Sequence, residues 1–282
     1  MLHAPEHPTR HGAQARRVRR GIHAGDTAVA SNDVVVERWE REPLLERVEH
    51  HLVTRTGPAV GIGSINVDHF THFGRGRIEL RNDPERTGVD WIMLADGAPV
   101  AMRAKMVTGR EWPRLTGADL LPDLLGAAAR TKARVGFLGG RPEVHDRLRE
   151  VLASSFPEIP EPAFWAPERE DVDSLVGSGR IADEIREAGV HLLAVALGKP
   201  RQEMWIQRFG ARTQARALLA FGASADFLAG KVDRAPEWMQ DRGLEWAYRL
   251  RKEPRRLARR YLVEGPPAVA RLLPAREVEP PH

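Results

Sequence analysis

An alternation of short apolar runs with amphipathic segments constrains the fold of this chain most strongly. Five runs of strand length are each followed within two residues by Gly, Asp or Asn, as is typical of strands that end in turns. These runs occupy residues 59–65, 91–94, 135–138, 191–197 and 217–220. Segments with helical spacing separate them, most clearly at 118–131, 142–155 and 179–187. The pattern predicts an α/β fold, with a Rossmann-like, mostly parallel sheet and helices on both faces.

Shifts in composition divide the chain into four predicted regions. Residues 1–32 are polar and hold a cluster of arginines, which predicts a disordered basic tail. Residues 33–235 are the predicted α/β core, and residues 236–264 are a predicted C-terminal helical appendage. Residues 265–282 open with Gly-Pro-Pro and are predicted to be a second tail.

Most of the surplus positive charge lies in the predicted appendage. The whole chain has a net charge of +4, whereas residues 242–260 contain eight Lys and Arg against two Glu, an excess of six. Because proline suits the first turn of a helix but not its interior, Pro254 predicts two helices here, 236–252 and 254–262. This basic helical appendage suits an anionic, phosphate-bearing partner.

Composition excludes several kinds of protein. The 282 residues include no cysteine, which excludes disulfide frameworks and thiolate metal sites and favours a reducing cytoplasm. No apolar run reaches the roughly eighteen residues that a membrane span requires. A secretory signal is not expected, because no apolar segment follows the basic N-terminal residues. The oligomeric state stays open, and a homo-oligomer is possible.

Four strings in the C-terminal third carry a specific resemblance. They are ALGKPRQE (196–203), FGASADFLAGKVDRAPEW (221–238), GLEWAYRL (243–250) and EPRRLARRY (253–261). The chain resembles the WecG/TagA/CpsF family, the N-acetylmannosaminyltransferases of glycosyltransferase family 26. The hallmarks of that family are G-x-P-[RK]-Q-E, R-A-P-x-W, G-L-E-W-x-x-R-L and E-P-x-R-x-x-R-Y. The resemblance extends over about residues 61–261, and the hallmarks occur in order and at compatible spacing.

Asp96 follows an apolar run, and the residues alone leave two interpretations open. Asp-Gly is a common turn pair, and a carboxylate at the end of a buried strand also suits a general base. In the family that the chain resembles, the Asp of a D-G-x-x-V segment is the proposed base, and residues 96–100 match that segment. The resemblance therefore implies that Asp96 is catalytic and deprotonates the acceptor sugar hydroxyl.

Four further residues are expected to bind substrate. Ser64 and Asn66 resemble the family's T-x-N pattern with Ser in place of Thr, although helix capping is an equal alternative for residues placed between a strand and a helix. Arg114 matches an arginine that helps to hold the nucleotide sugar in the family. Gln202 carries an amide donor and acceptor suited to sugar hydroxyl or acetamido groups.

Three arginines of the appendage, Arg249, Arg256 and Arg259, match arginines that the family uses near the departing diphosphate. The resemblance implies that they bind substrate and stabilise charge on the leaving phosphate. A solvated basic face is the alternative. Interleaved apolar and aromatic residues also make this surface suitable for an anionic membrane.

Other residue patterns suggest a metal or a cofactor, but neither is expected. Asp171 and Asp173 form a D-x-D pattern, which holds a divalent cation in many sugar transferases, but they lie in an acidic, Pro-rich stretch typical of a solvated loop. His69 and His72 are spaced as a pair on one helical face. The glycines at 136–141 lack the G-x-G-x-x-G spacing of an NAD site.

The resemblance implies an inverting, metal-independent glycosyltransferase of cell-envelope or exopolysaccharide synthesis. Its donor would be a UDP-sugar, expected to be UDP-N-acetylmannosamine, and its acceptor a polyprenyl-diphosphate-linked N-acetylglucosamine. Such a protein would be cytoplasmic and peripheral on the inner face of the cytoplasmic membrane. The alternative is a non-catalytic nucleotide- or nucleic-acid-binding α/β protein. Because base-stacking aromatics are lacking outside the appendage, no nucleic-acid partner is expected.

Overall fold

A single mixed sheet forms the centre of the protein. The computed structural model describes residues 25–54 and 57–281, apart from the side chains of Glu237, Asp241 and Arg256. In these ranges the strands are β1 (Thr27–Ser31), β2 (Val34–Arg38), β3 (Ala59–Ile65), β4 (Val89–Ala95), β5 (Val135–Gly139), β6 (Ala163–Trp165), β7 (Leu192–Ala196), β8 (Ala217–Ala220) and β9 (Arg276–Val278). Their order is β6-β5-β7-β8-β3-β4-β2-β1-β9. Strand β1 pairs antiparallel with β2 and β9, and the other pairings are parallel.

Helices connect the parallel strands and continue beyond them. They are α1 (Arg41–Thr54), α2 (His69–His72), α3 (Pro84–Thr87), α4 (Ala98–Thr108), α5 (Gly117–Arg130), α6 (Pro142–Ser155), α7 (Arg169–Asp173), α8 (Leu175–Glu187), α9 (Arg201–Phe209), α10 (Ser224–Leu228), α11 (Glu237–Asp241), α12 (Glu245–Lys252), α13 (Pro254–Ala258) and α14 (Gly265–Leu272). A 3₁₀ turn covers Ala211–Thr213, and a π-helical stretch covers Arg259–Glu264. None of the helices in the described ranges has both the length and the apolar character needed to cross a bilayer.

Two hydrophobic clusters lie on opposite faces of the sheet. Helices α1, α5 and α6 contribute buried leucines to one cluster, together with Ile62 and Ile92 from the strands. Helices α4, α8, α9 and α14 contribute to the other, which contains Trp91. Alternate residues of each strand therefore serve different faces. The predicted fold class, a mostly parallel sheet with helices on both faces, is confirmed.

The glycines of β3 make room for large side chains on β4. A Cβ on Gly61 would lie 2.9 Å from Cε3 of Trp91, and Gly63 lies beside Met93 in the same way. These contacts are in register, because Gly61 pairs with Trp91 across the strands. The close fit brings β3 and β4 together, so that the residues following each strand meet at one edge of the sheet.

Observed elements at both ends of the chain fall in ranges predicted to be tails. Strand β1 lies within residues 1–32, and helix α14 and strand β9 lie within residues 265–282. The two strands have three to five residues and pair with each other, so their sequence shows little periodicity. The Gly-Pro-Pro sequence opens α14, since prolines fit a first helical turn. Residues 1–24 of the predicted tail lie outside the described residues.

The range 236–252, predicted as one helix, contains two. Helices α11 and α12 are separated at Gly243, which has φ of 68°. A Cβ on Gly243 would also lie 2.6 Å from the Cβ of Ala98, the first residue of α4. The appendage therefore makes close backbone contact with the core directly after Asp96 and Gly97.

Replacing Gly243 with Ala is expected to loosen this contact. The change imposes both left-handed strain of about 1 kcal/mol and a clash with Ala98. Gly230→Ala is the matched control, because Gly230 has φ of 67° but a Cβ added there would meet no atom within 4 Å. Hydrogen exchange across α12 should accelerate in Gly243→Ala and not in Gly230→Ala. Equal exchange in the two variants would contradict a role for this contact in holding the appendage.

Candidate active site

Loops following adjacent parallel strands converge at one edge of the sheet. Strands β7, β8, β3 and β4 are consecutive neighbours, so their carboxyl ends lie side by side. The backbone amide of Asp96 donates to the carbonyl of Ile65 at 2.9 Å, and that of Leu115 donates to the carbonyl of Ala95 at 3.0 Å. These bonds hold Asp96 and the segment that contains Arg114 at the end of β4. Crevices at the carboxyl ends of parallel strands are the usual ligand sites of such sheets.

Asp96 lies half-buried at this edge and is surrounded by charge. Burial raises the pKa of Asp96, and the negative charge of Glu245 raises it further. Lys199, a hydrogen bond from the Ser64 hydroxyl, and Arg114 act in the opposite direction. The result is a carboxyl group with a raised pKa among charged and polar side chains, a combination that suits a general base.

Arginines and carboxylates alternate around Asp96. Nη1 of Arg114 lies 3.8 Å from Oε2 of Glu245, which belongs to α12 of the appendage. Arg234 hydrogen-bonds to Asp119, and its charge also interacts with Glu245 and Asp96. The network thus joins the end of β4, the start of α5 and the appendage.

Gln202 is buried where β8 ends. Its Nε2 donates to the carbonyl of Ala220 at 2.8 Å and to Oε1 of Glu203 at 3.2 Å. Its Oε1 has no hydrogen-bond partner among the described residues, and Gly222 lies against this atom. Because an unpaired buried oxygen is costly, Gln202 retains an acceptor for a donor group that enters the site.

Asn66 follows β3 and shares this feature. Its Oδ1 is buried without a partner in the described structure, and its Cα would lie 3.2 Å from a Cβ on Gly97. The close approach brings the loop after β3 against the loop after β4. Ser64 ends up bonded to Asp96, so the structure brings together Ser64, Asn66, Asp96, Arg114 and Gln202.

The three predicted arginines of the appendage are placed differently. The guanidinium carbon of Arg249 lies 5.7 Å from the ring centroid of Phe227 in α10, and its Nε is buried without a described hydrogen-bond partner. Arg249 therefore faces the core. The Arg259 side chain is 83% exposed and bonds to Glu264 at 3.0 Å, so it does not join the cluster in this arrangement. The Arg256 side chain lies outside the described residues.

Residues without a predicted role complete the site. Glu245 and Lys199 lie inside the two strings GLEWAYRL and GKPRQE, but their partners are distant in sequence and give no local signal. Arg260 pairs with the nearly buried Asp68 at 3.0 Å and so ties the π-helical stretch to the core. In the sequence, Arg260 is a basic residue next to Tyr261 in a predicted helix. That pattern does not distinguish it from its exposed neighbour Arg259.

Residues whose sequence patterns suggested a metal site have other partners in the structure. Asp171 and Asp173 lie in α7 and form ion pairs with Arg180 and Arg169, respectively. His69 is buried and stacks on Phe73, with ring centroids 4.2 Å apart. Among the described residues, no three His, Asp or Glu side chains form a group able to hold a metal ion.

The ion pair between Asp119 and Arg234 makes a testable contribution to stability. Burial alone would raise the pKa of Asp119, but hydrogen bonds from Arg234 and Thr116 outweigh it and lower that pKa. The ionised form is therefore favoured in the folded state. Its stabilising contribution is complete above the ordinary Asp pKa of 3.8 and is lost as the pH falls through the lower folded-state value.

Asp119→Asn should accordingly reduce the free energy of unfolding at neutral pH, and this deficit should shrink at acid pH. Urea denaturation at a series of pH values measures the difference from the unchanged protein. Asp233→Asn is the control, since Asp233 is exposed and lies 3.5 Å from Lys252. A deficit for Asp119→Asn that does not depend on pH would show that the carboxylate charge is not responsible.

The chain is similar in sequence to known glycosyltransferases. Two curated relatives are the N-acetylglucosaminyldiphosphoundecaprenol N-acetyl-beta-D-mannosaminyltransferases of Bacillus subtilis (30% identical over 168 residues) and Bacillus spizizenii (33% over 169 residues). Each match covers 60% of this chain and 63% of the relative's length, so the chain spans less than two thirds of these relatives. The model of the glycosyl transferase WecG/TagA/CpsF family matches residues 30–279, and the chain therefore belongs to that family.

Proposed function

We propose that this protein is an inverting, metal-independent glycosyltransferase that uses a UDP-sugar. The observation that carries the proposal is the position of Asp96, a carboxyl group with a raised pKa at the carboxyl edge of the sheet, beside Arg114 and Arg234. Family membership supports sugar transfer as the chemistry. The site combines a base with cationic groups, which are the two requirements for transfer from a sugar diphosphate.

In the proposed reaction, Asp96 accepts the proton of the attacking acceptor hydroxyl. The hydroxyl oxygen forms a bond to the anomeric carbon while the bond from that carbon to the diphosphate oxygen breaks. UDP departs with the bonding electrons. A single displacement of this kind inverts the anomeric configuration and needs only one carboxylate. The hydrogen bond from Ser64 orients Asp96 for the proton transfer.

Arginine side chains would stabilise the charge that develops on the departing diphosphate. Arg114 lies 3.8 Å from Glu245, beyond the distance of a strong hydrogen bond, so its guanidinium is available to a phosphate. Arg249 faces the core and retains a buried Nε without a described hydrogen-bond partner. Arg256 of α13 and Arg259 of the π-helical stretch extend this role in the proposal, which has both segments turn toward the bound substrate.

Amide groups would recognise the sugars. Oε1 of Gln202 and Oδ1 of Asn66 are buried acceptors without partners in the described structure. Sugar hydroxyl and acetamido N–H groups are suitable donors. The names of the two Bacillus relatives favour N-acetylmannosamine as the transferred sugar and a polyprenyl-diphosphate-linked N-acetylglucosamine as the acceptor. Such a product belongs to cell-envelope polysaccharide synthesis.

The appendage would contact the inner face of the cytoplasmic membrane, where a lipid-linked acceptor resides. Leu262 and Val263 are 62% and 65% exposed, and Trp246 is also exposed. Arg251, Arg255 and Arg259 are basic residues of the same appendage, and the Arg259 side chain is exposed as well. Apolar side chains beside basic ones suit the surface of an anionic bilayer.

Asp96→Asn should abolish transfer and leave the fold intact. Asn has nearly the same shape but cannot accept the proton, so turnover should fall at least about a hundredfold. The assay incubates a panel of UDP-sugars with a polyprenyl-diphosphate N-acetylglucosamine and detects the product by mass. Asp146→Asn, which removes an exposed carboxylate of α6, is the control and should retain activity. Full activity of Asp96→Asn would remove Asp96 as the base, and no product from any donor would undercut the enzyme proposal.

The joint change Leu262→Asp and Val263→Asp should weaken membrane binding. Flotation with vesicles rich in anionic lipid should recover several-fold less protein, because the new charges must leave water to enter the interface. Leu175→Asp with Val176→Asp is the matched control, since these adjacent apolar residues are also exposed but belong to α8. Equal loss in both double variants would contradict a specific role for the appendage. Removing all residues after 242 is a poorer test, because α14 and β9 would be lost as well.

A further inference from the structure

Lys199, in the loop that follows β7, carries a nearly buried ammonium group. Nζ of Lys199 donates to the carbonyl of Ser64 at 2.6 Å and lies 3.4 Å from Oε1 of Glu203. It also lies 3.3 Å from Nδ1 of His69. The Lys199 side chain is only 10% exposed, and Glu203 is fully buried. Three contacts to three separate elements hold the ammonium in one place.

The neighbouring histidine supports a fixed positive charge at Lys199. Burial, together with the charge of Lys199, holds the pKa of His69 well below its ordinary value. The ring is therefore neutral, and its Nδ1 accepts a hydrogen bond from the ammonium. Stacking on Phe73 fixes the ring in this orientation. His69 thus accepts a hydrogen bond from Lys199 and adds no second positive charge.

Lys199 also acts on Ser64, the second-last residue of β3, which is separated from β7 in the sheet by β8. It bonds to the backbone of Ser64, and the hydroxyl of Ser64 bonds to Asp96. Among the charged groups near Asp96, Lys199 does the most to counter the rise in the pKa of Asp96 that burial causes. Arg114 adds positive charge from the loop before α5, and Arg234 adds it from the loop before α11. Glu245 adds negative charge from the appendage. Without Lys199, burial and the charge of Glu245 would raise the pKa of Asp96 further.

We propose that Lys199 is a positioning residue that holds Ser64 in place and keeps Asp96 anionic beside Glu245 of the appendage. The inference rests on the proposed role of Asp96 as base. Lys199 touches no reacting atom in this account. The appendage brings the carboxylate of Glu245 toward Asp96, and the buried ammonium compensates for that charge. Asp96 therefore stays ionised although a second carboxylate lies close to it.

The test compares pH profiles of kcat/KM in the whole protein. Lys199→Met alone would leave Glu203 buried without its cation and risks misfolding. The principal variant is therefore Lys199→Met with Glu203→Gln, which removes both charges. Lys199→Arg keeps the charge, and Lys105→Met is the control because Lys105 is an exposed residue that pairs with Glu111.

We expect the double variant to lose activity mainly at low pH. Without Lys199 the pKa of Asp96 rises, so the acid limb of kcat/KM moves to higher pH. At pH values below the pKa of Asp96, the loss of kcat/KM relative to the unchanged protein should be roughly tenfold greater than the loss at alkaline pH. Lys199→Arg should restore most of the profile, and Lys105→Met should leave it unchanged. An equal loss at every pH would indicate a structural role only and would overturn the inference.

A carbon-13 NMR titration of the Asp96 carboxyl separates this inference from the proposed function. Its midpoint should be higher in the Lys199→Met, Glu203→Gln variant than in the unchanged protein, whatever the activity. An unchanged midpoint would overturn the role of Lys199 even if Asp96→Asn is inactive. Conversely, an active Asp96→Asn variant would defeat the role of Asp96 as base, while a raised midpoint would still confirm the electrostatic effect of Lys199.

Discussion

Charged side chains at the carboxyl edge of the sheet compensate one another, because each of them is partly or fully withdrawn from water. A carboxylate in such a place tends to become neutral, and an isolated ammonium tends to lose its proton. Here Asp96 lies among Lys199, Arg114 and Glu245, which differ in sign. The positive groups therefore limit how far the pKa of Asp96 rises.

The same compensation joins the appendage to the core. Glu245 of α12 approaches Arg114, and Arg260 of the π-helical stretch pairs with Asp68. Gly243 lets the backbone approach the start of α4. The appendage is thus not an independent basic tail, because its own carboxylate contributes to the charge around Asp96. Its exposed surface carries Arg259, Leu262 and Val263, whereas Glu245 and Arg249 lie on the side that faces the core.

The core of the fold was predictable because its signals are local. Strand β3 has the predicted bounds, and α6 follows the predicted spacing from Pro142 to Ser155. Strands β1 and β9 escaped prediction, since they have few residues and depend on pairing with each other. Asp96 was predicted to be the base from the motif that begins with it, whereas Lys199 was not assigned a role. Its partner Ser64 lies 135 residues away, and no spacing rule connects them. Charge compensation across strands becomes visible only when the sheet order is known.

In the proposed reaction, one carboxylate promotes a single displacement at the edge of the sheet. The anomeric configuration of the sugar in the first-formed product, determined by proton and carbon-13 NMR from a donor of known configuration, tests this directly. The product should have the configuration opposite to that of the donor, because the acceptor oxygen enters as UDP leaves from the other face. A product that retains the configuration of the donor would rule out a single displacement, whatever the role of the individual residues.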